Sequence, residues 1–198
     1  MLVVNKPSGL LSVPGRGPEK ADCLVSRLNV DFPDALIVHR LDMETSGLMV
    51  LARNKDTHRH LSKSFELRKV DKTYIARVSG ILGKARGEIE LPLMKDWPNR
   101  PLQKVDMTEG KRSLTHWEIL ETEDKDSITR VKLSPQTGRT HQLRVHMNAI
   151  GHPILGDLLY GTPQSKAGAA RLQLHASTLA FAHPVTAQRL VLQSPAPF

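Results

Sequence analysis

The sequence predicts an α+β fold around a mixed, mostly antiparallel sheet with flanking helices. Segments with strand-like patterns follow one another in consecutive pairs, and they outnumber the segments with helical periodicity. A chain of 198 residues can bury roughly 70% of its unfolded surface, which is enough for a core without disulfides. We therefore expect a single domain, residues 1–198, made of two lobes.

Strands are predicted where apolar residues alternate with polar ones or run together between turn residues. In one of them Tyr74, Ala76 and Val78 point to the same side. A polar turn over 123–127 joins two strands into a hairpin, and a proline-rich loop covers 92–101. The predicted strands cover residues 2–5, 47–53, 72–79, 87–91, 113–121, 128–133, 172–182 and 189–193.

Three helices are predicted from capping residues and helical periodicity. Asp22 is the predicted N-cap of the first and Thr140 that of the third, while Gly151 is the C′ glycine of the third. In the second helix Leu61 and Phe65 lie one turn apart on a buried face. The predicted helices cover residues 22–30, 55–69 and 141–150.

The charge balance favours a nucleic-acid partner. Lys and Arg number 28 against 20 Asp and Glu, which gives a net charge of +8 and a pI near 9.8. The alternative is that the positive charge is spread over an ordinary solvated surface that binds no nucleic acid. Aromatic residues make up only 4% of the chain, which argues against a surface that stacks many bases in series.

The chain also predicts a cytoplasmic location and no membrane segment. Its start contains Lys6 and Pro7 after a very short apolar run, unlike a signal peptide. The longest apolar stretch elsewhere, Leu48 to Ala52, is far too short to span a bilayer. The single Cys23 excludes an internal disulfide and favours a reducing compartment.

Three segments carry side chains suited to chemistry. The run Arg40-Leu41-Asp42 puts an acid in a turn ahead of an apolar strand, and Lys72-Thr73-Tyr74 offers a tyrosine on a strand. The third segment, Thr137-Gly138-Arg139-Thr140-His141-Gln142-Leu143-Arg144-Val145-His146, is basic and opens the third helix. Each segment alone is weak evidence, because such residues are usually structural. Their occurrence together, in this order, is much more specific.

All three segments resemble those of the RluA-type pseudouridine synthases, enzymes that isomerise uridine in RNA. The resemblance extends over nearly the whole chain, through runs that start with Val4-Asn5-Lys6-Pro7, Gly151-His152-Pro153 and Leu174-His175-Ala176. The run Asp96-Trp97-Pro98-Asn99-Arg100-Pro101 is similar to a narrower branch that acts on ribosomal large-subunit RNA and tRNA. Family members usually have a strand upstream of the Asn-Lys-Pro turn. This chain begins almost at that turn, which leaves the partner of its first strand open.

The resemblance implies a site as well as a fold. It implies the pseudouridine synthase fold, a bent sheet across two lobes with a central active-site cleft, and catalytic roles for Asp42, Tyr74 and Arg144. We expect Arg144 to form a buried ion pair with Asp42 that keeps the carboxylate charged, although a purely structural salt bridge is the alternative. Arg40 is expected to fill the stack that a flipped uridine leaves, or else to contact a phosphate.

Further residues are expected to contact RNA. Arg139 and His141 flank the start of the third helix, where backbone N–H groups favour a phosphate. Leu143 either forms the apolar floor of the base pocket or packs in the core. Lys6, Arg100 and Lys104 are expected to lie in loops and to contact phosphates.

The implied reaction is an isomerisation that needs no cofactor. His58 and His60 are two positions apart, and His141 and His146 are five apart, so neither pair shares a helix face. Neither these spacings nor the single cysteine indicates a metal site. The expected partner is RNA, 23S rRNA first and a tRNA anticodon stem-loop second, bound by a monomer without a separate N-terminal RNA-binding domain.

Two other functions stay open on the sequence. A non-catalytic RNA binder or ribosome-assembly factor could use the same fold, although the presence of all three catalytic candidates argues against it. A glycosidase-like hydrolase would also break the glycosidic bond, but it needs a second carboxylate to activate water. Glu44 is the only nearby candidate for that role.

Overall fold

The computed structural model describes residues 1–198. Its strands are β1 (Leu2–Lys6), β2 (Leu36–Ile37), β3 (Ser46–Ala52), β4 (Asp71–Ser79), β5 (Arg86–Glu90), β6 (Leu93–Lys95), β7 (Gln103–Val105), β8 (Leu114–Glu123), β9 (Ile128–Pro135), β10 (Leu174–Ala182) and β11 (Arg189–Gln193). Its helices are α1 (Leu24–Asp31), α2 (Lys55–Glu66), α3 (Gln142–Ala149) and α4 (Pro163–Ala167), with short 3₁₀ turns at Pro18–Lys20 and Asp124–Asp126. No helix combines the length and the apolar composition that crossing a membrane requires.

The predicted α+β class is confirmed, and so is the existence of every predicted strand and helix. The proline-rich loop over 92–101 is wrong in part. Its first residues form β6, which pairs with β7 in a separate two-stranded hairpin, Leu93 opposite Val105. The sequence did not indicate this hairpin because each strand is only three residues long.

The chain falls into two compact units, and unit 1 comprises residues 1–72 and 175–197. Its central strand is β3, all seven residues of which are buried. β3 pairs antiparallel with β1 and β2 and in parallel with β10, which in turn pairs antiparallel with β11. The partner of the first strand, which the sequence left open, is therefore β3. The apolar face of α2, with Leu61 and Phe65, covers this sheet as predicted.

Unit 2 comprises residues 73–174 and Phe198. Four antiparallel strands pair in the order β4-β9-β8-β5. Tyr74 lies opposite Leu133, and Leu133 lies opposite Trp117 on the next strand, so the three side chains share one face. Ala76 and Val78 continue this face into the core against α3, as the predicted alternation required.

The helix α1 begins one residue later than its predicted cap. Cys23, not Asp22, is the N-cap: its Sγ accepts a hydrogen bond from the Ser26 N–H, and the Ser26 hydroxyl accepts one from the Cys23 N–H. Asp22 instead forms an exposed ion pair with Arg27. Cys23 is fully buried.

The N-terminus of α3 also differs from the prediction, whereas its C-terminus agrees. His141, not Thr140, is the N-cap, in a left-handed conformation at φ 53° and without a side-chain cap. Gly151 has φ 84°, and its N–H donates to the Asn148 carbonyl while the His152 N–H donates to that of Met147. This pair of bonds is the Schellman motif that ends many helices at a glycine.

Gly47 is required where β3 meets β10. Its φ is +117°, and a Cβ at this position would lie 2.4 Å from the Ala176 carbonyl oxygen and 2.5 Å from the Ala176 nitrogen. A side chain would therefore both strain the backbone, at about 1–3 kcal/mol, and push the paired strands apart. We expect Gly47→Ala to lower the free energy of unfolding by about 3 kcal/mol or more in urea titrations.

Gly83→Ala is the matched control for this prediction. A Cβ at Gly83 meets nothing within 4 Å, and the residue has no positive φ. We expect Gly83→Ala to leave the urea midpoint nearly unchanged. Equal midpoints for the two variants would contradict a steric requirement at Gly47.

Candidate active site

Asp42 lies in unit 1, in the loop between β2 and β3, and its side chain is half-buried. The Thr45 N–H donates a hydrogen bond of 3.1 Å to the Asp42 carbonyl, which closes a turn directly before β3. Arg40, two residues earlier, is exposed. The acid therefore lies in a turn ahead of an apolar strand, as the sequence predicted.

The end of β1 and the segment after it hold the backbone of this turn. The Lys6 ammonium and the Gly9 N–H both donate to the Met43 carbonyl, at 2.9 and 3.0 Å. The Ser8 hydroxyl donates to the Glu44 carbonyl at 2.7 Å. The carbonyls of the two residues that follow Asp42 are thus fixed by one neighbouring segment.

The residues just before Asp42 are fixed in the same way. The Leu41 N–H donates to the Ser12 hydroxyl oxygen at 3.1 Å, and that hydroxyl donates to the Leu41 carbonyl at 2.7 Å. Because hydrogen bonds hold the backbone on both sides, the Asp42 carboxylate projects from a rigid frame.

His39 anchors the start of this loop to the sheet. Its Nε2 accepts the Val50 N–H at 3.0 Å, and its ring stacks on Phe65 with the centroids 4.4 Å apart. Burial lowers the pKa of His39 to about 3, and the nearby Lys72 charge adds to this. His39 is therefore neutral at physiological pH, as its acceptor role requires.

Lys6 is not in a loop, and that placement from the sequence was wrong. It ends β1, is fully buried, and donates to the carbonyls of Pro7, Leu10 and Met43. Burial lowers the pKa of Lys6 to about 8, although the charges of Glu44 and Asp42 act in the opposite direction. An enclosed ammonium cannot reach a phosphate outside the protein, so Lys6 supports the loop instead.

Tyr74 lies in unit 2, on β4, where its half-buried ring packs against the hydrophobic core. Its neighbours on this face of the sheet include Leu133, the residue opposite it on β9. The strand thus fixes the ring at the margin of the core, as its alternation predicted.

Arg144 also lies in unit 2 and is held by Asp157, a residue that the sequence analysis did not single out. The guanidinium Nε and Nη2 donate to the two carboxylate oxygens at 2.8 and 2.6 Å, and both side chains are buried. The Leu159 and Tyr160 N–H groups donate to the same carboxylate. Such two-pronged, charge-assisted pairing fixes the guanidinium plane.

Tyr160 connects Arg144 with His141 and the hairpin. The Arg144 guanidinium lies over the Tyr160 ring, 5.2 Å from its centroid. The Tyr160 hydroxyl accepts the Gln103 N–H at 2.8 Å and lies 2.7 Å from Nδ1 of His141. Tyr160 thus orients two of the residues that were predicted to act on RNA.

A buried polar network sets the position of α3. The Gln142 side chain bonds Thr137, Thr115 and the Arg139 N–H, all within 3.0 Å. His146, one turn further, bonds the Thr115 hydroxyl through Nδ1 at 2.9 Å. Burial lowers the pKa of His146, so it is neutral in this network. These bonds hold the helix that carries Arg144.

The remaining predicted residues have diverse environments. Leu143 packs in the core of unit 2, whereas Arg139 and Arg100 are exposed. Lys104 lies on β7 rather than in a loop, where it pairs with Asp106 at 3.3 Å. No group of three His, Cys, Asp or Glu side chains is placed to hold a metal ion. Asp42 belongs to unit 1 and Arg144 to unit 2, and the ion pair between them stays a prediction.

Comparisons with known proteins decide the family. The family model described as RNA pseudouridylate synthase matches residues 1–149. The chain belongs to the RNA pseudouridylate synthase family. The resemblance seen in the sequence is thereby confirmed, and the chain is an enzyme of the isomerase class that acts on RNA.

Individual members of the RNA pseudouridylate synthase family agree with this assignment. A Yersinia pestis relative named dual-specificity RNA pseudouridine synthase RluA is 57% identical over 93% of this chain and 89% of its own length. The relative of the same name from Escherichia coli strain K12 is 50% identical over all of this chain and 90% of its own. Among solved structures, human RNA pseudouridylate synthase domain containing 1 superposes with a TM-score of 0.81 at 32% identity, over all of this chain and 80% of that one.

Two positioning residues of this RNA pseudouridylate synthase, Asp157 and Tyr160, escaped the sequence analysis, and a third, Lys6, was placed wrongly. Asp157 and Tyr160 stand in the run Gly156-Asp157-Leu158-Leu159-Tyr160, in which only the buried acid could have drawn attention. Lys6 was noticed, but its place at the end of an apolar strand should have suggested burial.

Proposed function

We propose that this enzyme converts one uridine of a folded RNA loop to pseudouridine, with Asp42 as the residue that starts the reaction. The substrate class is large-subunit ribosomal RNA, with a tRNA anticodon stem-loop as the second substrate. The observation that carries the proposal is the frame around Asp42, in which hydrogen bonds fix the backbone on both sides of the acid. The "dual-specificity" in the names of its relatives supports two RNA substrates.

The reaction is balanced without a donor or an oxidant. The bond between N1 of uracil and C1′ of ribose breaks, the base turns, and C5 bonds to C1′. C5 loses its proton to solvent and N1 gains one. Asp42 begins this sequence by attack on the sugar, by attack on the base or by removal of a ribose proton. Each route uses the charged carboxylate.

Tyr74 and Arg144 would complete the site. The Tyr74 ring offers a face for the uracil and a hydroxyl for proton transfer. Arg144 supplies a guanidinium whose plane Asp157 fixes, and this preorganised charge would pair with the Asp42 carboxylate. Leu143, next to Arg144, packs in the core, which favours the packing alternative over a place on the pocket floor.

Access to the uridine requires base flipping, which costs a few kcal/mol. Arg40 is exposed and two residues from Asp42, so its planar guanidinium is suited to fill the vacated stack. The exposed Arg139, the half-buried His141, and Arg100 and Lys104 on the hairpin would contact the RNA backbone. The net charge of +8 supports this mode of binding.

We further propose a single catalytic domain that works in the cytoplasm as a monomer. The presence of a single cysteine, Cys23, which cannot form an internal disulfide, supports a reducing compartment. Sedimentation of the purified protein would report its oligomeric state.

Release of tritium from RNA labelled at C5 of uridine tests the proposed function. Formation of the new C5–C1′ bond expels that tritium to water, so we expect release from ribosomal or tRNA stem-loop transcripts. Binding without release would favour the assembly-factor alternative. Release of free uracil would indicate a hydrolase.

A further inference from the structure

The β6–β7 hairpin presents an exposed tryptophan on a rigid loop. In this loop, residues 96–102, the Asp96 N–H donates to the Leu102 carbonyl and the Leu102 N–H to that of Asn99, both at 3.0 Å. The Asn99 amide donates to the Asp96 carboxylate, and the Arg100 Nε donates to the Trp97 carbonyl. The position of the Trp97 backbone is therefore fixed before any ligand binds.

The Trp97 side chain is exposed to an unusual degree. It is 58% exposed, whereas the chain's other tryptophan, Trp117, is 9% exposed and belongs to the core of unit 2. Trp97 is also the one aromatic residue among the exposed large hydrophobic side chains. Because indole contributes much contact area when it is buried, an indole held in solvent is available for a stacking contact with a ligand.

Two cations accompany the indole ring. The Lys95 Nζ lies 4.3 Å from the ring centroid and the Arg100 Cζ lies 5.1 Å from it. Neither cation has a carboxylate within ion-pairing distance, unlike Lys104, which pairs with Asp106 on the same hairpin. Even with the Asp96 carboxylate of the same loop counted, the surface around the ring carries a net positive charge, which is complementary to a polyanion.

Tyr160 attaches the hairpin to the start of α3, where His141 lies. The Gln103 N–H on β7 donates to the Tyr160 hydroxyl, which also bonds His141 at the start of α3. The hairpin therefore belongs to the same unit as His141 and Arg139, the residues proposed to contact RNA.

We propose that Trp97 stacks on an unpaired base of the RNA substrate other than the target uridine, while Lys95 and Arg100 contact the flanking phosphates. Aromatic stacking tolerates any base, because every base has a π face, and unpaired loops expose such faces. The inference rests on the proposed function in one respect, namely that the ligand is RNA.

Intrinsic fluorescence isolates this contact. The chain has two tryptophans, so Trp97→Phe leaves only the buried Trp117. We expect a uridine-containing RNA stem-loop to quench the emission of the wild-type protein and to leave that of Trp97→Phe nearly unchanged. Equal quenching in both proteins would overturn the proposal.

Affinities measured with the same stem-loop and with a fully paired duplex complete the test. We expect Trp97→Ala to weaken stem-loop binding by about tenfold and duplex binding by less than about twofold. Trp97→Phe keeps a stacking ring and should stay within about threefold of the wild type. Met107→Ala, at another exposed apolar side chain just beyond β7, is the matched control and should bind normally. Wild-type affinity of Trp97→Ala, or equal losses on both RNAs, would overturn the proposal.

This test is separate from that of catalysis. Quenching and affinity are measured without turnover, so a protein that releases no tritium could still show the Trp97 contact. Conversely, tritium release with no effect at Trp97 would leave the enzyme assignment intact. Thermal unfolding of each variant shows whether the hairpin change has altered the fold.

Discussion

Replacement of Asp42 by asparagine is expected to reduce tritium release from C5-labelled RNA by about 10⁴-fold or more, the scale seen when an enzyme loses its nucleophile. The amide keeps the size of the side chain but has neither the charge nor the basicity of the carboxylate. The surrounding frame is built from backbone groups of Leu41, Met43 and Glu44, so it should persist in the variant. RNA affinity should stay within a few-fold of the wild-type value.

Glu44→Gln is the matched control for Asp42→Asn. Glu44 is the neighbouring carboxylate, and its backbone carbonyl, not its side chain, holds the loop through Ser8. We expect this variant to keep most of the activity. Appreciable turnover by Asp42→Asn would contradict the catalytic assignment, and a comparable loss in Glu44→Gln would favour a mechanism with two carboxylates.

Replacement of Asp157 by asparagine is expected to lower the free energy of unfolding by about 3–5 kcal/mol. Both side chains of the Arg144–Asp157 pair are buried, at 4% and 0% exposure, so the neutral variant leaves an enclosed guanidinium without this counter-ion. Urea titration followed by circular dichroism measures the change. Activity should fall too, because Asp157 orients Arg144.

Asp22→Asn provides a control with the same bonding pattern on the surface. The Arg27 Nε and Nη2 donate to the two oxygens of Asp22 at 2.7 Å each, but both side chains are more than half exposed. Water and salt screen that pair, so we expect no measurable shift of the urea midpoint. A shift equal to that of Asp157→Asn would contradict the role of burial.

The same comparison separates catalysis from folding at Arg144. Loss of activity in an Arg144 variant is informative only if the protein remains folded, because removal of one partner of a buried pair destabilises the fold. The buried Asp157 carboxylate would lose its cation in that variant. Unfolding and tritium release should therefore be measured on the same preparation.

The local sequence pattern predicted most secondary-structure elements well, and the errors concern two cap residues and one short hairpin. The strand that contains Tyr74 was predicted from alternation, and the end of α3 was predicted from Gly151, a glycine in the left-handed region. Both signals are local properties of the sequence. The caps at Asp22 and Thr140 were wrong because the residue next to each one forms the cap. The hairpin of β6 and β7 was missed because its strands are too short to show alternation.

The sequence predicted the residue types of the candidate site but not the contacts that hold those residues in place. The run around Asp42 and the run that opens α3 indicated an acid and a guanidinium, and similarity to a known family gave them roles. Lys6 was given the wrong environment, because an isolated lysine in a sequence is most often a surface residue. Its burial depends on carbonyls from Leu10 and Met43, the second of which lies 37 residues away.

By itself the sequence determined the α+β class, the positive charge, the family and the side chains available for chemistry, since composition, periodicity and motif are written along the chain. Only the tertiary structure decided that Asp157 holds Arg144, that Tyr160 joins His141 to the hairpin, and that Gly47 must lack a side chain. The physical reason is that each of these depends on groups from different elements. Hydrogen bonding, burial and steric contact between them arise only when the chain has folded.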